Sequence, residues 1–375
     1  MRVKHLTRAG FVFSFMFVLA VIFSGLASAD TVYAASAIKI SKTKMTLCVG
    51  ETKSLKVSGT TKKVSWSSSN KKVATVSSKG KVKALKAGMA TITAKVAGKK
   101  LRCKVKASDS IGTYFCLWNV NSDLSPAGRK LTAAEAAEVR RAVNLLVNRT
   151  HIAASIVGGG RKPASTFVAM GITEPDGSEF YKQAGPDHAG YYPLKPQKTA
   201  AMKILKKYYE VSNGKVTDFP AISYIYNIEG EVHKAIAEYL QSALKAAGIK
   251  LTVIGYDWDT YQKKIKNGGF TMARMGWIAD TNDALNFLQE YVPGSSGNFC
   301  RLGKGKHASV SGYNVKLKGI GTYKNLKGTW KQTYQKLISL IKKEKKEEIR
   351  SRLLHKAEDL IMETGCICPL YYYTQ

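Results

Sequence analysis

The sequence predicts a multidomain chain in which a small all-β sandwich precedes an α/β lobe, and three observations carry the prediction. Apolar residues alternate with period two through residues 37–107, whereas helical and strand periods alternate beyond residue 108. Charge divides at the same place: residues 37–107 hold 18 Lys and one Arg against a single acid, Glu51, while residues 108–375 hold 37 basic and 24 acidic side chains. The 375-residue chain has a formal charge of +33, yet 45% of it is hydrophobic and 23% charged. That balance supports ordinary apolar cores and excludes wholesale disorder, collagen-like repeats and low-complexity classes. Six cysteines are too sparse to make disulfides the main stabiliser.

Residues 1–29 read as an address. Arg2, Lys4 and Arg8 precede a mostly apolar run from Phe11 to Leu26, and Ala27-Ser28-Ala29 follows, which is the layout of a secretory signal peptide. Cleavage after Ala34 is a second option, and an uncleaved anchor a third, for which the run is short. No Cys stands at the end of the run, so lipid attachment has no acceptor there. The expected location is extracellular or at the cell surface.

Within residues 37–107 the alternating sets are Met45, Leu47, Val49; Leu55, Val57; Val64, Trp66; Ala90, Ile92, Ala94, Val96; and Leu101, Cys103, Val105. Each reads as a strand with one buried face, and turn residues between them fall at the spacing of a β-sandwich. The runs VGETKSLKV and WSSSNKKVATVSSKGKVKALKAGMATITAKV resemble the bacterial immunoglobulin-like domain, group 2. The resemblance implies a surface-displayed spacer, adhesion or wall-contact module without catalytic residues, and places Trp66 in its core. Cys103 is in phase with Leu101 and Val105 while Cys48 is out of phase with Leu47 and Val49, so a bridge between them would need a bulge, and a buried free thiol is the alternative. The basic surface would attract polyanions, for an exported protein anionic cell-wall polymers or lipid head groups. A plain solvated face is the other reading, and no nucleic-acid partner is expected, because no aromatic stacking platform accompanies the lysines.

From residue 108 to residue 375, Thr132-Ala-Ala-Glu135 is a capping box that opens a helix running to about Asn148. Val232, Ile236, Leu240 and Leu244 form one stripe of a second helix, which stops at Gly248 before a strand over 250–254. A short helix beside Asp259 ends at Gly268-Gly269, and a strand follows over 270–275. Trp330, Tyr334, Leu337 and Ile341, then Ile349, Leu353, Ala357 and Leu360, mark two helices around the charge run 342–348.

Four segments then carry a second resemblance: GTYFCLWNVN at 112–121, YIYNIEGEVHKAIAEYLQSALKAAGIKLTV at 224–253, FTMARMGWIADTNDALNFL at 270–288, and the closing IMETGCICPLYYYTQ. Together they look like the C-terminal half of the family 5 extracellular solute-binding proteins, the oligopeptide-binding components of ABC importers. The resemblance implies an incomplete α/β lobe of the periplasmic-binding-protein type (type II), with short peptides and an importer membrane complex as partners. It places Asp280 against a peptide's free α-amino group, Arg274 against acidic groups, Trp277 and Trp258 along side-chain pockets, and His233 near the peptide's C-terminal end, where protonation would attract a carboxylate. Each residue has a bland alternative: core packing for the tryptophans, a surface strand for Arg274 and a surface helix for His233. Arg274 and Asp280 share a face only if the chain stays extended between them, which Gly276 puts in doubt.

The family pattern has a long N-terminal stretch where the Ig-like module stands here, and more chain after the tyrosines at 371–373. An incomplete lobe is expected to bind weakly unless another chain completes it, and its sheet edges favour association. The six histidines show no metal-ligand spacing, the three glycines at 158–160 lack the Lys-Ser/Thr of a phosphate loop, and Asp257 and Asp259 read as helix-start residues, so no enzyme activity, metal or cofactor is expected. Cys116, Cys300, Cys366 and Cys368 allow several pairings. The leading expectation is an exported peptide-binding protein, and the alternative is a wall-associated Ig-like protein with a vestigial solute-binding half.

Overall fold

The computed structural model describes residues 37–49, 52–108 and 110–373, so the predicted signal peptide lies outside the described residues. In the N-terminal part, strands Lys44–Cys48, Lys99–Ser108, Gly88–Val96 and Ser65–Ser68 form a four-stranded sheet in that order. Strands Thr52–Ser54, Lys81–Ala84 and Ala74–Val76 form a three-stranded one. Leu47, Ile92 and Val105 of the first sheet and Ala74, Val82 and Ala84 of the second share one apolar core, with Trp66 packed partly buried against it. Cys103 lies in that core as a free thiol, and the Cys48 side chain lies outside the described residues.

The rest of the chain is built on a five-stranded mixed sheet. Its strands are β1 (Gly112–Trp118), β2 (Ile222–Asn227), β3 (Leu251–Tyr256), β4 (Met272–Ile278) and β5 (Ile367–Tyr372), in the order β3-β2-β4-β1-β5. β2 runs parallel to both β3 and β4, and β1 pairs antiparallel with β4 and β5. Every residue of β1 is buried: Phe115 and Leu117 enter one core, and Tyr114, Cys116 and Trp118 enter the other. A central strand covered on both faces needs no polar alternation.

Helices α1 (Ala133–Asn144) and α2 (Glu231–Lys245) cover the face bearing Tyr114. Helices α3 (Trp258–Asn267), α4 (Trp330–Lys343) and α5 (Glu347–Glu363) cover the other. Thr132 and Glu135 close the capping box of α1 reciprocally, which satisfies two otherwise orphan N–H groups. That helix stops at Asn144, short of the expected Asn148. Asn148 instead caps a separate turn, its Oδ1 accepting from His151 N at 2.9 Å. β4 runs on through Gly276 to Ile278, three residues beyond the expected end. Among the described residues, no helix is long and apolar enough to cross a membrane.

Candidate functional site

Because β2, β3 and β4 are parallel, their carboxyl ends deliver Asn227, Tyr256 and Ile278 to one edge of the sheet. The crevice beyond such strand ends is where open α/β sheets bind ligands. Large apolar side chains stand exposed at all three ends: Ile228 at 58%, Trp258 at 48% and Ile278 at 42%. Helices α2 and α3 begin there as well, each aiming its N-terminal N–H groups toward that edge.

Glu229 and Asp257 order this rim. Glu229 accepts hydrogen bonds from Asn227 Nδ2 at 2.8 Å and from Trp258 N at 2.6 Å, tying the end of β2 to the start of α3. Asp257 caps α3 by accepting from Thr260 N at 2.9 Å. Trp258 is therefore no core residue; its ring lies exposed, stacked near Tyr261 at 6.0 Å between centroids.

Arg274 and His233 meet on the α2 side of the sheet, and Tyr114 brings them together. The Arg274 guanidinium sits over the Tyr114 ring at 5.3 Å, and the Tyr114 hydroxyl lies 3.0 Å from His233 Nδ1. Tyr114 also stacks on Tyr371 at 4.9 Å and meets the edge of Tyr373. Arg274 has no acidic partner among the described residues, and its Nε is buried without a hydrogen bond. The phenol rings of Tyr114 and its neighbours fix the guanidinium in place.

His233 differs from the sequence expectation. Burial, with the Arg274 charge adding to it, lowers the imidazole to about 3, so the ring is neutral near pH 7. It can exchange a hydrogen bond, but it brings no positive charge to a carboxylate.

Trp277 and Asp280 form a second pair. Asn286 Oδ1 accepts from Trp277 Nε1 at 3.2 Å and from Asp280 N at 3.3 Å. Trp277 packs partly buried on the α3 side, the face opposite Arg274. β4 ends at Ile278, so the chain is not extended all the way from Arg274 to Asp280. The Asp280 carboxylate is exposed and makes no hydrogen bond or ion pair among the described residues.

Sequence reasoning did not single out Tyr114, Tyr261, Tyr373 or Glu229. The Tyr261 hydroxyl donates to the Arg274 carbonyl oxygen, and Tyr373 covers Gly276, where a Cβ would collide with its phenol oxygen. Their available signals were the resemblance segments that contain Tyr114 and Tyr373 and the placement of Tyr261 on the buried stripe of α3.

The family described as bacterial extracellular solute-binding proteins, family 5 Middle, matches residues 63–299, a span that begins inside the N-terminal sheets. The dipeptide-binding protein DppE of Bacillus subtilis is 28% identical over 272 residues, covering 72% of this chain and 42% of its own. The oligopeptide-binding protein OppA of the same organism is 25% identical over 237 residues, covering 63% and 37%. Among solved structures, the Escherichia coli murein tripeptide binding protein MppA superposes with a TM-score of 0.51 at 20% identity, over 71% of this chain and 43% of that one. Haemophilus influenzae OppA, in its complex with RPPGFSPFR, gives 0.51 at 22% identity, over 70% and 43%. These superpositions concern the fold alone. The chain spans about two fifths of the length of the curated relatives it matches.

Proposed function

Because this chain belongs to the bacterial extracellular solute-binding proteins, family 5, we propose that it is an exported binding protein that captures short peptides for an ABC-type importer. One observation carries the proposal. Asp280 stands as an exposed, unpaired carboxylate just beyond the carboxyl end of β4, and the same strand carries an arginine without an acidic partner among the described residues, Arg274. A peptide has one ammonium end and one carboxylate end, and these two side chains complement both. Charge-assisted bonds of this kind contribute about 1.5 to 3 kcal/mol each.

In this reading Asp280 takes the peptide's α-amino group, and Arg274 takes its terminal carboxylate or an acidic side chain. Trp258, Ile228 and Ile278 offer flat or apolar surface to side chains of many shapes, and Trp277 positions Asp280 through Asn286. His233 contributes a neutral hydrogen-bonding ring. Binding needs no covalent step. In this reading the carboxyl-end edge of the sheet is one wall of a cleft that closes on the peptide. Calorimetric titration of the purified chain with pooled short peptides tests the proposal; a folded chain that evolves no saturable heat would overturn it.

The N-terminal sheets supply an observation on a further contact. Lys44 lies directly opposite Lys104, and Lys95 directly opposite Lys100, with no ion pair at any of the four among the described residues. Like charges in register destabilise a sheet, so an anionic partner would relieve them. We infer an Ig-like module over residues 37–107 that rests against anionic wall polymer while the second unit binds peptide. Binding to purified cell walls that is strong at low salt and lost at high salt supports this role; salt-independent or absent binding removes it. A vestigial second unit is not favoured, since the matched relatives are themselves binding proteins.

A further inference from the structure

Four buried thiols, Cys116, Cys300, Cys366 and Cys368, surround the start of β5, and the peptide site uses none of them. Sequence leaves their pairing open, but the structure separates them. Cys116 and Cys368 are cross-strand partners in the core on the α1 and α2 side of the sheet, and each sulfur is engaged by a different group. Cys116 donates to the Tyr224 hydroxyl at 3.6 Å, and Cys368 accepts from Arg149 Nη2 at 3.2 Å. Cys300 and Cys366 instead engage one another. The Cys300 thiol points at the Cys366 main chain, its Sγ 3.6 Å from the Cys366 carbonyl oxygen, while Cys366 Sγ lies 4.0 Å from the Ile361 carbonyl oxygen.

The backbone holds this pair in place. Trp118 N donates to the Cys366 carbonyl at 2.8 Å, and Val120 N donates to the Cys300 carbonyl at 3.0 Å. Both cysteines are thus docked by their carbonyls on the same short stretch at the end of β1. Both side chains are fully buried in the core on the α4 and α5 side of the sheet.

We propose that Cys300 and Cys366 form a disulfide in the exported protein. Two thiols give up two protons and two electrons as the S–S bond forms, and the acceptor is the disulfide of an exported thiol–disulfide oxidoreductase, which leaves as a dithiol. The bond forms during folding, before α4 and α5 close over the pair, because the finished core admits no oxidant. The bridge would close a long loop and pin β5, whose Tyr371 stacks on Tyr114, to the segment that follows β4. The physiological setting rests on export, not on peptide binding.

The test is made in vitro, so that neither location nor ligand affects it. The full chain is refolded in a glutathione redox buffer, denatured, alkylated without prior reduction, digested and analysed by mass spectrometry. The expected result is a Cys300–Cys366 cross-linked peptide pair, lighter by two hydrogens than its reduced parts, with Cys116 and Cys368 alkylated. Oxidised chain should also melt at higher temperature than the same chain treated with reductant, a difference that Cys300→Ala/Cys366→Ala abolishes. Full alkylation of Cys300 and Cys366, or cross-linking of either to Cys116 or Cys368, overturns the proposal.

Discussion

The Nδ1 atom of His233 stands 3.0 Å from the hydroxyl of Tyr114, and the same phenol ring carries the Arg274 guanidinium on its face. One tyrosine from a strand buried on both sides thus couples a first-turn residue of α2 to the cation of β4. The contact explains why His233 titrates low, since its ring loses water and gains a positive neighbour.

Acid stability should reflect that arrangement. The unfolded chain protonates His233 near 6.5, and the native ring only near 3, so stability is complete above about pH 6.5 and falls as pH drops toward 3. His307, lowered to about 4 by burial and the Arg140 charge, adds in the same direction. Thermal unfolding of His233→Gln should show a weaker loss of melting temperature between pH 6.5 and pH 4 than the parent. An equal loss would remove His233 from the account.

Glu358 should act in the opposite sense at higher pH. It is fully buried, accepts from Phe167 N at 2.9 Å and Val168 N at 2.8 Å, and burial pushes it up to about 8. Between the unfolded value of 4.5 and about 8 the native state holds the extra proton, so this group's stability is full below 4.5 and is lost as pH rises through 8. Glu358→Gln keeps an acceptor for both amides and has no proton to lose. Its melting temperature should fall less than the parent's between pH 6 and pH 8, and a parallel fall would contradict the assignment.

Much of the architecture was legible in the sequence where one face of an element is wet. The stripe Val232, Ile236, Leu240, Leu244 and the Thr132–Glu135 box gave their helices directly, because period and capping chemistry are local. Strands Ala74–Val76 and Lys81–Ala84 were not anticipated, being three and four residues long. Tyr114 escaped notice because β1 is buried on both faces and shows no alternation. The meeting of Arg274 with His233 depends on strand order, and the separation of Trp277 from Arg274 depends on which face each takes; neither is a local property.

Gly276 should resist even a methyl group. A Cβ there would collide with the Tyr373 hydroxyl, which lies over the strand beside Arg274. Gly276→Ala should displace Tyr373 and weaken peptide binding several-fold, while Gly276→Ala/Tyr373→Phe should recover part of the loss by removing the colliding oxygen. Unchanged affinity in the single variant would place Tyr373 outside the site.

The facing lysines of the N-terminal sheets predict a gain. Lys95→Glu would set opposite charges across from Lys100 in place of like ones, worth roughly 0.2–1 kcal/mol. Chemical denaturation at low salt should register the gain, and high salt should shrink it. Wall binding should weaken in the same variant.

Asp280 presents an exposed carboxylate, unpaired among the described residues, two residues beyond the carboxyl end of β4. The most direct measurement is calorimetry of the parent and of Asp280→Asn with a short peptide, then with the same peptide acetylated at its N-terminus. Saturable heat in the parent, weakened roughly tenfold to a hundredfold both by the substitution and by acetylation, with little further loss when the two are combined, is the predicted result. Parent affinity that is indifferent to acetylation and to the substitution would contradict it.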